Sequence, residues 1–242
     1  MSHDTDGLWC VLPAAGRGTR LGAALPKQYL PLAGRPLIVH TLQRLAAMPQ
    51  VRGLMLALAC DDAHWESQVA PLLDRGTLCR GKPVRVTTGG AERADSVLAA
   101  LRALPDDVDA NHFVLVHDAA RPCVRAADVA HLVEQGGQDD GGLLGAPLRD
   151  TLKRADADDR SVETEPRDAR WRAFTPQMFR RGQLTKALAS ALDAGVAVTD
   201  EAMAMERAGF HPLLVEGAED NIKVTTPADL ALAEFLLPRI DS

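Results

Sequence analysis

The stretch Leu8-Trp9-Cys10-Val11-Leu12-Pro13-Ala14-Ala15-Gly16-Arg17-Gly18-Thr19-Arg20-Leu21-Gly22 carries an apolar run straight into a glycine-rich loop. The run from Leu8 to Pro13 is continuous rather than alternating, which predicts a strand buried on both faces. Glycines placed directly after such a strand let the backbone turn and approach a ligand closely, so that successive N–H groups converge on phosphate oxygens. Arg20, and Lys27 a little further on, bring full positive charge to the same place. The small Ala14 and Ala15 leave room for a flat base.

Two common phosphate-loop patterns fail on this stretch. A P-loop needs Lys followed by Ser or Thr after its last glycine, and the dinucleotide pattern G-x-G-x-x-G needs glycine where Leu21 stands. A dinucleotide site also expects an acid about 20 residues further on for the ribose. Here no Asp or Glu occurs between Gly7 and Cys60, and Pro26 interrupts the helix that should follow. The same segment carries Arg17, Arg20, Lys27, Arg35, Arg44 and Arg52, while the chain overall has 27 Lys and Arg against 33 Asp and Glu. A net charge of -6 argues against a protein that binds nucleic acid by neutralising its backbone over a broad surface. Any anion site is therefore local.

Outward from the loop, helix and strand patterns alternate. Helices are predicted over Pro36 to Met48, Asp61 to Asp74, Ala91 to Leu104, Ala126 to Glu134, Arg180 to Asp193 and Pro227 to Leu237. Strands are predicted over Val51 to Ala59, Val84 to Thr88, His112 to His117 and His211 to Val215, with a further apolar run from Leu143 to Leu148. Helices separating continuous Val/Leu-rich runs imply an α/β fold, a mostly parallel sheet covered by helices on both faces. Ligands of such sheets sit beyond the carboxyl ends of the strands. That directs attention to the loops beginning at Gly16, Gly89, Asp118 and Asp220. Residues 149–171 are different: charged, without helical or buried-strand periodicity, and long for a loop inside one domain. They read as a mobile surface loop or as an arm reaching a partner.

Four cysteines without a C-x-x-C pair suggest neither a disulfide framework nor a structural zinc site. The apolar stretches fall short of the roughly 18 to 20 residues of a membrane span. A cytoplasmic enzyme without nucleic-acid or membrane partners is the expectation.

Several short motifs occur together in order: Leu12-Pro13-Ala14-Ala15-Gly16-x-Gly18-x-Arg20, Pro26-Lys27-Gln28-Tyr29-Leu30, Gly89-Gly90-x-Glu92-Arg93-x-x-Ser96-Val97, Val116-His117-Asp118-Ala119-Ala120-Arg121-Pro122, Asp150-Thr151-x-Lys153, Thr175-Pro176-Gln177 and Asp220-Asn221-Ile222-Lys223-Val224-Thr225. Over residues 8–237 the chain thereby resembles the 2-C-methyl-D-erythritol 4-phosphate cytidylyltransferase family. The resemblance implies a Rossmann-like domain over residues 1–242, with 149–171 as an extended arm that interlocks a homodimer. It also implies transfer of a cytidylyl group from CTP to a phosphorylated polyol, with Mg²⁺ or another divalent cation, in the non-mevalonate route to isoprenoids. A ribitol-5-phosphate cytidylyltransferase is the neighbouring alternative, since the nucleotide motifs are shared.

By the same resemblance, Arg20 and Lys27 carry the triphosphate and transition-state charge, and Lys223 and Arg167 hold the attacking phosphate. Pro13, Ala14, Ala15, Gly16, Gly90, Ser96, Ala119 and Arg121 match the nucleotide-binding positions. Thr151, Thr175 and Thr225 join Arg167 and Lys223 around the acceptor, with Arg167 and Thr151 reaching from the arm into the neighbouring subunit's site. Arg170 and Arg172 offer alternative registers for Arg167. Asp118 and then Asp220 are the metal candidates, because Mg²⁺ takes one or two carboxylates beside phosphate oxygens and water. Each also reads as a loop-capping acid, and Ser96 as a residue stabilising a helix start. Asp200-Glu201 reads as an N-cap followed by a helix-dipole acid, a structural pair.

Overall fold

The apolar run beginning at Leu8 is strand β1 (Leu8–Ala14), an interior strand of a seven-stranded sheet. The structure is a computed structural model and describes residues 7–16, 25–76 and 78–240. After a 3-10 turn at Lys27–Tyr29 come a minimal hairpin, β2 (Pro31–Leu32) and β3 (Arg35–Pro36), then α1 (Leu37–Ala47) and β4 (Val51–Leu58). There follow α2 (Ala63–Gln68), α3 (Ala70–Asp74), β5 (Val84–Thr88), α4 (Arg93–Arg102) and β6 (Phe113–Val116). Next are α5 (Ala126–Gly136), β7 (Gly142–Pro147), β8 (Leu152–Ala155), β9 (Ser161–Glu165) and β10 (Trp171–Arg180). The chain continues through α6 (Arg181–Asp193), α7 (Glu201–Arg207), β11 (Leu213–Glu216) and α8 (Pro227–Leu236).

The sheet runs β11-β7-β10-β6-β1-β4-β5. Every pairing is parallel except those of β10, which lies antiparallel between β6 and β7. From β1 the chain steps outward to β4 and β5 and then returns to the other side of β1 as β6. The strand order thus reverses at β1, and ligands of doubly wound sheets bind at that point, beyond the carboxyl ends.

Alternate side chains of β1 serve two cores. Cys10, Leu12 and Ala14 pack with α1 and α5 through Ile38, Leu42, Leu45, Val129 and Leu132. Trp9 and Val11 point the other way, onto Val97 and Leu101 of α4, Leu184 and Leu188 of α6, and Met205 of α7. This period of two, with both sets apolar, is why the strand reads as a continuous run.

Three elements depart from the sequence expectation. The helix expected over Asp61 to Asp74 is two helices broken at Val69, because Pro71 in the first turn of α3 has no N–H and cannot continue α2. Strand β10 has no clear apolar signature: charge precedes it and Pro176 lies within it. Its pairing with β7 shifts register between Ala173 and Gln177, so Pro176 sits where no ladder N–H is required. Residues 149–171 are not structureless. They contain the β8–β9 hairpin, followed by the start of β10 at Trp171. No residue from Arg149 to Arg170 is buried.

Gly141, at the entry to β7, has φ +96°, and a Cβ there would collide with the Met178 carbonyl oxygen of β10. Gly141→Ala is expected to cost about 3 kcal/mol from backbone strain and overpacking. Denaturant unfolding checks this, and an unchanged midpoint would contradict the close packing of β7 on β10.

Candidate active site

The carboxyl ends of β1, β5 and β6 and the segment after β11 surround a cavity of about 200 Å³. Of the residues anticipated from sequence, Pro13, Ala14, Ala15, Gly16, Lys27, Gly90, Ser96, Asp118, Ala119 and Lys223 line it. Arg93 and Gln28 line it too, although the sequence assigns neither a role. Arg20 lies outside the described residues.

Small residues shape one side of the cavity. A Cβ on Gly89 would meet Ala15 Cβ at 2.6 Å and Ser96 Oγ at 2.8 Å, so the loop after β5 closes directly onto the end of β1. The Ser96 hydroxyl accepts from Gly90 N–H at 3.1 Å and donates to the Glu92 carbonyl at 3.1 Å. Ser96 therefore shapes the Gly90 loop from within α4, whose N-cap is Glu92 in a capping box with Asp95. Gln28 donates to the Ala14 carbonyl at 2.8 Å, tying the turn that carries Lys27 to the end of β1.

Opposite stands a cluster of charge centred on Asp118, which is 6% exposed. Arg93 Nε donates to Asp118 Oδ1 at 3.0 Å, Lys223 Nζ lies 2.8 Å from Oδ2, and Arg121 Nε lies 3.5 Å from Oδ2. Burial by itself would raise the Asp118 carboxyl pKa. Arg93, Lys223 and Arg121 overcome it and hold the group far below the usual carboxylate range. Arg93 gives its two Nη groups to Glu201 at 2.6 and 3.0 Å. Burial works against the Arg93 charge, but Glu201 and Asp118 raise its pKa overall. Three cations thus meet two carboxylates, and the cavity wall itself carries Lys27, Arg93 and Lys223 against Asp118 and Glu92. The surplus is positive, which suits a phosphate-bearing ligand.

Backbone contacts bring these side chains together. Asp118 N–H donates to Thr175 Oγ1 at 3.0 Å, Thr41 Oγ1 to the Ala119 carbonyl at 2.9 Å, and Val224 N–H to the Ala120 carbonyl at 2.9 Å. Arg121 Nη1 donates to the Asn221 carbonyl at 2.6 Å, and Asn221 Nδ2 to the Thr175 carbonyl at 2.8 Å. The loop after β6 is laced to the segment that presents Lys223.

Other anticipated residues lie elsewhere. Thr175 is buried under the Asp118 loop, its hydroxyl engaged by Asp118 and His117, and Arg121 sits behind Asp118 rather than in the cavity wall. Thr225 Oγ1 donates to Asp229 at 2.8 Å, within the capping network of α8. Thr151 is exposed, and Arg167 donates to the Arg149 carbonyl at the root of the arm. Neither lines the cavity of its own chain. Arg172, an alternative to Arg167, pairs with Glu219.

Asp118 and Asp220 do not suit a metal ion. The oxygens of Asp118 are neutralised as described, and Asp220 is paired with Arg125. Among the described residues no group of three His, Cys, Asp or Glu is arranged to hold a metal. Asp200 is an N-cap, accepting from Met203 N–H at 3.0 Å. Glu201, however, is more than a helix-dipole acid: its partner is the site's Arg93. The motif Glu92-Arg93 is visible in the sequence, but an Asp118–Arg93–Glu201 contact across such separations has no local signal.

Fold and site together define a doubly wound α/β protein with a cation-bearing cavity at the reversal point of its sheet. Residues 8–239 match the 2-C-methyl-D-erythritol 4-phosphate cytidylyltransferase family, and the chain belongs to that family. A relative so named from Xanthomonas campestris pv. campestris strain 8004 is 57% identical over 238 residues, spanning 98% of this chain and 87% of the relative. A solved enzyme of that name from Francisella tularensis aligns with a TM-score of 0.78 at 32% identity, covering 95% of this chain and 99% of its own. The counterpart from Thermus thermophilus gives a TM-score of 0.76 at 31% identity, covering 96% of this chain and 99% of its own.

His117 marks how firmly the site's floor is set. It is wholly buried; its Nε2 donates to the Arg121 carbonyl at 3.0 Å, and its Nδ1 accepts from Thr175 at 3.1 Å. Burial pushes its pKa down to about 4, so the folded protein keeps it neutral. The unfolded chain binds this proton near pH 6.5, so the contribution is whole above that pH and is lost as pH falls toward 4. Denaturant unfolding should show a loss of about 2 to 3 kcal/mol between pH 7 and pH 4.5 that is absent from a folded His117→Gln variant. Equal pH dependence in both proteins would contradict the buried neutral state.

Proposed function

We propose that the protein is a cytidylyltransferase, joining CTP and 2-C-methyl-D-erythritol 4-phosphate to give 4-diphosphocytidyl-2-C-methyl-D-erythritol and pyrophosphate. The observation that carries this reading is one cavity lined both by Ala14, Ala15 and Gly90 and by Lys27 and Lys223. The first set admits a pyrimidine sterically, and the second gathers phosphate.

In the reaction an oxygen of the acceptor's phosphate forms a bond to the α-phosphorus of CTP, and the bond from that phosphorus to the bridging oxygen breaks. Pyrophosphate leaves with the electron pair. The attacking phosphate is already ionised, so no proton has to be removed and no general base is required. The obstacle is repulsion between anions, and cations with N–H groups fixed in advance are what lower it. Lys27 serves the triphosphate and Lys223 the incoming phosphate. Asp118 holds Lys223 until that phosphate arrives. A divalent cation belongs to the proposal as a counter-ion of the triphosphate, but no step depends on Asp118 or Asp220 binding it.

The active form proposed is a homodimer. Residues 149–170 contribute nothing to the core of their own chain, and a two-stranded hairpin has little stability alone. A partner surface accounts for both facts, and puts Arg167 and Thr151 within reach of the other subunit's cavity.

Pyrophosphate release should require CTP with 2-C-methyl-D-erythritol 4-phosphate, and Lys27→Ala should lower turnover by about 10² to 10³. Release only with ribitol 5-phosphate would overturn the acceptor; wild-type turnover in Lys27→Ala would overturn that residue's role. Mixing and reassembling strongly impaired Lys223→Ala and Arg167→Ala subunits should restore about a quarter of wild-type activity, because each mixed dimer has one intact shared site. No recovery from confirmed mixed dimers would exclude sharing.

A further inference from the structure

Glu201 opens α7, does not line the cavity, and is completely shielded from solvent. A helix-dipole acid needs no side-chain partner, and an unpaired carboxylate is costly to take out of water. Glu201 instead accepts one N–H from each terminal nitrogen of Arg93, and that guanidinium meets Asp118 Oδ1 through its Nε. The other oxygen of Asp118 is thereby left to Lys223 Nζ at 2.8 Å and, more distantly, to Arg121. A continuous line of charged contacts joins α7 to a cation in the cavity wall.

We propose that Glu201 is a positioning residue for Lys223, acting through Arg93 and Asp118. An arginine freed from Glu201 can turn its fork onto Asp118 and engage both oxygens side by side, the geometry guanidinium and carboxylate favour. Lys223 then loses its seat, although nothing at residue 223 has changed. By gripping both terminal nitrogens, Glu201 holds the guanidinium in the orientation that meets Asp118 through Nε. A carboxylate that only balanced the charge of Arg93 would support the fold without any particular link to Lys223. The inference rests on the cytidylyltransferase reading of the site.

A double-mutant cycle on the full-length protein separates the two, with pyrophosphate release from CTP and 2-C-methyl-D-erythritol 4-phosphate measured for wild type, Glu201→Gln, Lys223→Ala and the pair. Glu201→Gln should lower kcat by about 10- to 100-fold while KM for CTP stays within about threefold, and should cost no more than about twofold further once Lys223 is alanine. Arg93→Lys keeps the buried charge but has no planar fork to give Glu201 while it meets Asp118, so it should behave alike and carries the test if Glu201→Gln does not fold. A folded variant with wild-type kcat, or losses that multiply in the Lys223→Ala background, would overturn the proposal. An inactive wild type would instead overturn the cytidylyltransferase reading, and an active wild type with impaired Lys223→Ala upholds that reading whatever Glu201 does.

Discussion

A carboxylate that must stay charged out of water, Asp118, governs the arrangement of this molecule's functional end. An isolated buried carboxylate is too costly to keep ionised. Two of its three cations come from distant parts of the chain, Arg93 from the start of α4 and Lys223 from beyond β11, while Arg121 comes from its own loop after β6. Satisfying one side chain therefore fixes three segments relative to one another at the reversal point of the sheet. The lattice of Thr41, Thr175, Asn221 and Val224 contacts makes the same arrangement from the backbone side.

The site is built for charge rather than for proton transfer. His117, the histidine next to Asp118, is buried and locked by Thr175 and the Arg121 carbonyl. The cations in the cavity wall are two lysines and an arginine, of which Arg93 and Lys223 are held by Asp118. Electrostatic help of that kind needs no reorganisation during the reaction.

Much of this is legible in the chain itself. Continuous apolar runs mark β1, β4 and β6 because both faces of these strands are covered, and the loops after β1, β5 and β6 do supply walls of the cavity. What cannot be read has a common physical origin. Strand β10 is buried by neighbours far away in sequence, and its proline is tolerated because of a register shift that only pairing reveals. Glu201 resembles an ordinary capping acid, since a helix start looks the same whether its acid faces water or Arg93. Asp118 and Asp220 look like metal ligands until their cations are placed beside them. Local patterns report exposure and periodicity; they do not report who meets whom across a sheet.

The arm occupies a particular place in the chain. Strands β7 and β10 are antiparallel neighbours, and β8 and β9 pair with each other within the connection between them. The arm is thus a hairpin grown from the end of another hairpin. Lengthening or shortening it leaves the register of the sheet below untouched, and closing a connection twice as long costs only about 0.6 kcal/mol. The length of the hairpin can therefore vary by insertion or deletion without disturbing the cavity, so one body can support arms of different span.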